Sequence, residues 1–195
     1  MRKVFLASAS PRRAEIMKQI GLDFSLVTAD TAEDLTQDLP PEALAASLAT
    51  RKAETVVPRV RAGLVIGADT IVVCDGRVMG KPLTVAEAEK MLRTLNGRCH
   101  KVITGVAVLD VNRNAVVDRR VDVESTLVFF REIEERDIKA YLRTGEPMDK
   151  AGAYGIQGKG ALLVHRIEGC YFNVVGLPVG LLDRLLKEFG IRALG

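Results

Sequence analysis

Tryptophan is absent from the 195 residues, and aromatic residues make up only 5% of them. Stacking of single-stranded nucleic acid needs repeated aromatic faces along a basic groove, so that kind of binding is not expected. Charge of one sign is also scarce. The formal net charge of +3 is too small to point to a nucleic-acid or membrane partner. No stretch approaches the ~20 apolar residues of a membrane span. The apolar run near Met1 stops at Ser8, too soon for the core of a signal peptide. The three cysteines, Cys74, Cys99 and Cys170, are odd in number and far apart. They offer neither a disulfide framework nor a zinc knuckle, and a reducing, cytoplasmic setting is expected. Two nucleotide motifs are missing: Gly-x-x-x-x-Gly-Lys-Ser/Thr, and Gly-x-Gly-x-x-Gly placed after a strand. Two histidines, His100 and His165, give little support for a histidine zinc site or a Ser-His-Asp triad. His165 reads as structural, inside an apolar strand, and His100 is open to either reading.

What is present suffices for a large core: 48% of the residues are hydrophobic and 27% charged. No repeat, linker or low-complexity segment divides the chain, so one domain over 1–195 is expected. Val4 to Ala7 reads as a buried strand. Ser10 caps a helix that opens on Pro11 and stops at Gly21. Phe24 to Val27 reads as a strand, and the polar segment 28–39 as a loop. A helix runs from Pro41 to Pro58. Leu64 to Ala68 reads as a strand, with Asp69 at a kink or break before Ile71 to Val73. Asp75-Gly76 marks a hairpin, and Thr84 with Glu87 a capping box. The helix it opens stops at Asn96-Gly97. Two long strands, 102–109 and 121–130, are joined through a turn at 112–114. A helix over 134–143, a Gly-rich loop over 146–160, a strand over 162–167 and a helix from Pro178 to Gly190 complete the chain. The mixed order argues for an α/β protein with a mixed sheet and not for a clean dinucleotide-binding fold.

Four places carry chemistry. Ser8-Ala9-Ser10-Pro11-Arg12-Arg13 joins a strand to a helix and puts two arginines where helices normally place acids. An anion at that helix end would gather the arginines, the hydroxyls and the unbonded amides; the competing reading is a solvated basic turn. Gly67-Ala68-Asp69-Thr70 delivers a carboxylate from a buried strand, able to hold a metal or activate water, or simply to cap a turn. Lys81, fixed between Gly80 and Pro82, and Lys52 on the second helix are point charges suited to phosphate oxygens, though either could be plain surface. The segment from Thr144 to Gly158 is long and chemically varied, as functional loops are. Gln157 within it offers both a donor and an acceptor to a base edge; the alternative is a packing loop with glycines for its backbone.

Taken together and in order, these motifs, with Gly176-Leu177-Pro178, closely resemble the Maf family of nucleoside triphosphate pyrophosphatases, first associated with septum formation. The resemblance implies an elongated mixed β-sheet with flanking helices and two lobes around a central cleft, similar to inosine triphosphate pyrophosphatases. It implies a Mg²⁺- or Mn²⁺-dependent attack of water on the α-phosphorus, with Asp69 as the base and Glu33 sharing the metal with Asp69. Ser8, Ser10, Arg12, Arg13, Lys52 and Lys81 would hold the triphosphate. Arg12, Thr70 and Gln157 would set base preference, as in the branch acting on dTTP and UTP, with modified pyrimidine triphosphates as further candidates. A homodimer is implied as well. The rival function is a nucleotide-binding regulator of septum formation that acts through partners.

Overall fold

The computed structural model describes residues 2–28 and 37–194. Glu33 and most of the expected loop over 28–39 lie outside the described residues. The strands are β1 (Val4–Ala7), β2 (Ser25–Val27), β3 (Ala62–Cys74), β4 (Arg77–Met79), β5 (Cys99–Asn112), β6 (Ala115–Phe130) and β7 (Val164–Glu168). The helices are α1 (Pro11–Gln19), α2 (Pro41–Val56), α3 (Val85–Leu95), α4 (Glu135–Leu142), α5 (Tyr171–Val175) and α6 (Val179–Glu188). Among the described residues the strands form one seven-stranded sheet in the order β2-β1-β3-β5-β6-β7, with β4 paired to β3. β1 runs parallel to β2 and β3, whereas β4 and β7 run antiparallel to β3 and β6. The sheet is therefore mixed, as the alternation of elements implied.

The chain divides into two compact units. The first comprises Met1–Asp69, Thr104–Glu124 and Gly176–Gly195. Its core gathers Ala49, Ala53 and Val56 of α2 against Val65, Ala107 and Leu109. Burial of such side chains contributes about 1.5–3 kcal/mol for each large one. Gly67 and Gly105 set how closely α2 lies on the sheet. A Cβ at Gly67 would sit 2.3 Å from the carbonyl oxygen of Ala49, and one at Gly105 would sit 2.2 Å from that of Ala45. Small residues on both surfaces let backbone meet backbone. Helix α6 buries Leu181, Leu182, Leu185 and Leu186 and is tied at its rim by Arg184–Asp122 and Arg120–Glu188 ion pairs.

The second unit comprises Thr70–Ile103 and Ser125–Val175. Ala88, Leu92 and Leu95 of α3 and Ile138 and Tyr141 of α4 pack with Val128 and Phe130 of β6. The α3 cap forms as its sequence suggested: Thr84 Oγ1 accepts from the Glu87 amide at 3.1 Å. The reciprocal bond goes one residue earlier, from the Leu83 amide to the Glu87 carboxylate at 2.8 Å.

Several sequence expectations are corrected. β3 runs unbroken for 13 residues through Asp69; a lysine partner lets the carboxylate remain inside a buried strand. Ser10 stands at the start of α1 but its side chain does not cap it. The long strands extend to 99–112 and 115–130 and meet at a two-residue turn, Arg113-Asn114, with φ of 51° and 62°. The extra length of β6 carries Asp118, Arg119 and Arg120, whose ion pairs replace the apolar alternation that marks a strand. The Gly-rich segment is not a plain loop: it folds into 3-10 turns over Glu146–Asp149, Ala151–Ala153 and Gly158–Leu163. The single-turn helix α5 was not foreseen. His165 is exposed on β7 and belongs to no core.

Candidate active site

The first unit places the chemistry where the order of its parallel strands reverses. β1 connects through α1 to β2 on one side, and the chain then returns through α2 to β3 on the other. In open α/β sheets, ligands bind beyond the carboxyl ends of the strands where the order reverses in this way. Ala7 at the end of β1 pairs with Gly67 of β3. The Ser8–Arg13 turn therefore leaves the sheet beside the strand segment that carries Asp69.

The turn is internally braced. Ser8 is buried, and its Oγ accepts from the Ser10 amide at 3.1 Å and from Arg13 Nη1 at 3.4 Å. Arg13 is itself buried, and its Nε donates to the Gly176 carbonyl at 2.7 Å. Gly176-Leu177-Pro178 thus has a definite role, presenting that carbonyl to the guanidinium. Arg12 is partly exposed in the same first turn, which contains no acidic residue. The positive end of the helix, with two arginines in its first turn, suits an anion.

Asp69 is only 2% exposed. Strand side chains alternate in direction, so Asp69 shares a face with Gly67. That is the face on which Ala49 and Ala53 of α2 lie. Lys52, one residue before Ala53, donates from Nζ to Asp69 Oδ1. A charge pair this deep offsets desolvation only while both members are present. A carboxylate beside an ammonium and next to a basic helix end can orient water or bind a hard cation.

In the second unit Thr70 follows on β3 and is half-buried. Lys81 is exposed, and the Gly80 carbonyl before it accepts from the Gly152 amide at 3.0 Å. That bond joins the Lys81 segment to the turn-rich segment 144–160, which also carries the exposed Gln157. His100 is buried within this unit. Its Nε2 lies 2.7 Å from Tyr154 Oη, and Phe130 packs edge-on against both rings. Burial pushes the imidazole down from the usual 6.5 to about 4, so it is neutral at physiological pH. Sequence reasoning gave no role to Tyr141, Glu146 or Tyr154; the latter two lie within the chemically varied segment from Thr144 to Gly158.

A parallel switch point with a basic turn and a buried carboxylate defines an α/β protein equipped to handle anionic groups. A solved HAM1 protein from Coxiella burnetii shares its fold, with a TM-score of 0.53 at 13% identity, over 96% of this chain and 100% of that one. The family described as Maf-like protein matches residues 3–189, and the chain belongs to the Maf family. A protein of Acetivibrio thermocellus named dTTP/UTP pyrophosphatase is 50% identical over 100% of this chain and 98% of its own length. One of the same name from Moorella thermoacetica is also 50% identical, over 100% and 99%. Among the described residues, no helix is long and apolar enough to cross a membrane.

Proposed function

We propose that this protein hydrolyses dTTP and UTP to the nucleoside monophosphate and pyrophosphate. The observation that carries the reading is the buried Asp69–Lys52 pair beside the basic turn of α1. The names of relatives that are half identical over the full chain support the choice of pyrimidine triphosphates. The role that follows is control of nucleotide pools, with modified pyrimidine triphosphates as further substrates. Asp69 takes a proton from the attacking water as its oxygen bonds the α-phosphorus. The α–β anhydride bond breaks, and pyrophosphate leaves with the bonding electrons. Ser8, Ser10, Arg12, Arg13 and Lys52 provide donors that oppose the growing charge. Lys81, Thr70 and Gln157 keep the parts the resemblance gives them: Lys81 in phosphate holding, Thr70 and Gln157 in base choice.

Asp69 and Glu33 would hold a divalent cation. Buried carboxylate and phosphate oxygens form the hard donor set that Mg²⁺ and Mn²⁺ accept. Among the described residues no group of three or more His, Cys, Asp or Glu is positioned to hold an ion, so the substrate's phosphates would supply further ligands. Such an ion neutralises phosphate charge and acidifies bound water. The working form in this proposal is a cytoplasmic homodimer.

The test is pyrophosphate release from a panel of nucleoside triphosphates with Mg²⁺ or Mn²⁺, comparing wild type with Asp69→Asn. Selective release from dTTP and UTP that the variant loses is the expected result. No release from any triphosphate would overturn the reading in favour of a nucleotide-binding regulator.

A further inference from the structure

Gln157 is exposed and lies in a stretch with glycines at 155, 158 and 160. Glycine-rich backbone carries the greatest conformational freedom, and ordering it costs binding free energy. A glutamine on such a stretch can select a base only if something else holds its backbone. That something is one carboxylate. Glu146 Oε2 accepts from the Lys159 amide at 3.1 Å, and Oε1 accepts from the Gly160 amide at 3.1 Å and from Tyr141 Oη at 3.0 Å. Tyr141 Oη in turn accepts from the Gly155 amide at 3.3 Å. The backbone is therefore gripped two residues before Gln157 and two and three residues after it.

The glycines are what allow the grip to close. A Cβ at Gly158, where φ is +64°, would sit 2.9 Å from Glu146 Oε2. At Gly160 it would sit 2.7 Å from Tyr141 Oη. Lys150 adds a brace, donating from Nζ to the Glu146 carbonyl at 2.6 Å. Burial, and next the Glu146 charge, raise the Tyr141 hydroxyl above its ordinary value. Tyr141 therefore stays protonated and donates to the carboxylate.

We propose that Glu146, acting with Tyr141, is the positioning residue that sets Gln157 for base discrimination. The proposal rests on the pyrimidine triphosphate reading and deepens it. Glu146 touches no reacting atom; its substitution acts through Gln157, on selection among bases more than on turnover.

The experiment measures kcat and KM for dTTP, UTP, dCTP and dGTP in wild type, Glu146→Gln, Gln157→Ala and the double variant. Tyr141→Phe provides a second way to open the clamp if Glu146→Gln does not fold. The expected result for Glu146→Gln is a fall of at least about tenfold in preference for dTTP over dGTP, the lower end of what one lost bond to a charged group gives. Its kcat on dTTP should stay within about threefold of wild type, and the double variant should lose no more preference than Gln157→Ala alone. Hydrogen exchange should quicken at the amides of Gly155, Lys159 and Gly160. A folded Glu146→Gln or Tyr141→Phe with wild-type preference overturns the proposal while leaving the pyrophosphatase reading intact. A wild type that releases no pyrophosphate overturns both.

Discussion

Lys52 and Asp69 meet because Gly67 lets them. Gly67 and Asp69 lie on one face of β3, and only a residue without a Cβ at 67 lets α2 approach closely there. The ion pair follows from the packing of a helix on a strand, and beside Asp69 that packing depends on the missing side chain of Gly67.

Replacing Asp69 by asparagine keeps its shape and removes its charge. General-base catalysis contributes about 10²–10⁴ in rate, so Asp69→Asn should lower kcat for dTTP by that factor. Circular dichroism and a cooperative thermal transition should still report a folded protein. A variant that retained more than half of wild-type turnover would remove Asp69 from the role of base.

Gly67→Ala and Gly105→Ala separate stability from the site. Each new Cβ would meet a backbone oxygen of α2 closer than 2.5 Å, at 2.3 and 2.2 Å. Overpacking of this kind typically costs about 1–3 kcal/mol, so both variants should melt earlier. Only Gly67→Ala pushes α2 away beside Asp69, so kcat should fall further in it than in Gly105→Ala. Equal activity in two equally destabilised variants would show that Gly67 matters only for packing.

The elements with strong periodicity or clear punctuation were legible in the sequence. Thr84 and Glu87 announced α3, Asp75-Gly76 announced the turn between β3 and β4, and Pro11 opened α1. The basic turn, the Asp69 strand and the Lys52 helix were found as separate pieces. That Lys52 and Asp69 touch could not be read, because the contact depends on Gly67 and on how α2 lies across β3. The continuity of β3 was hidden by the same cause: a charge in an apolar run looks like a break until its partner is known. Glu146 was invisible as a clamp, because its bonds go to backbone amides 13 and 14 residues away. The strand content of 115–120 was masked by charges that pair across the surface. Glu33 falls outside the described residues, so its assignment rests on the resemblance alone.

Arg13→Lys keeps the charge and loses the fork. A lysine has a single nitrogen and cannot fill both positions from which Nε and Nη1 of Arg13 donate to the Gly176 carbonyl and to Ser8 Oγ. A hydrogen bond involving a charged group contributes about 1.5–3 kcal/mol, so denaturant titration should show a loss in that range. KM for dTTP should rise as the Ser8 turn loosens. Arg12→Lys, in a partly exposed position, should leave stability close to wild type. The prediction fails if the two variants are equally stable.

His100 makes stability sensitive to acid. Its folded value of about 4 lies below the usual 6.5 because burial disfavours the charged ring. Below about pH 6.5 the unfolded chain takes up a proton that the folded protein refuses until about pH 4. Stability is therefore lost as pH falls through that window, and the group contributes no pH dependence above it. A gap of this size corresponds to about 3 kcal/mol at full effect. His100→Gln does not titrate and still offers a hydrogen-bonding group to Tyr154 Oη. Urea unfolding at pH 4.5 and 7.5 should therefore show about 2–3 kcal/mol less acid loss in the variant than in wild type. Identical losses in the two proteins would mean that the imidazole accepts a proton in the folded state as readily as in the unfolded one.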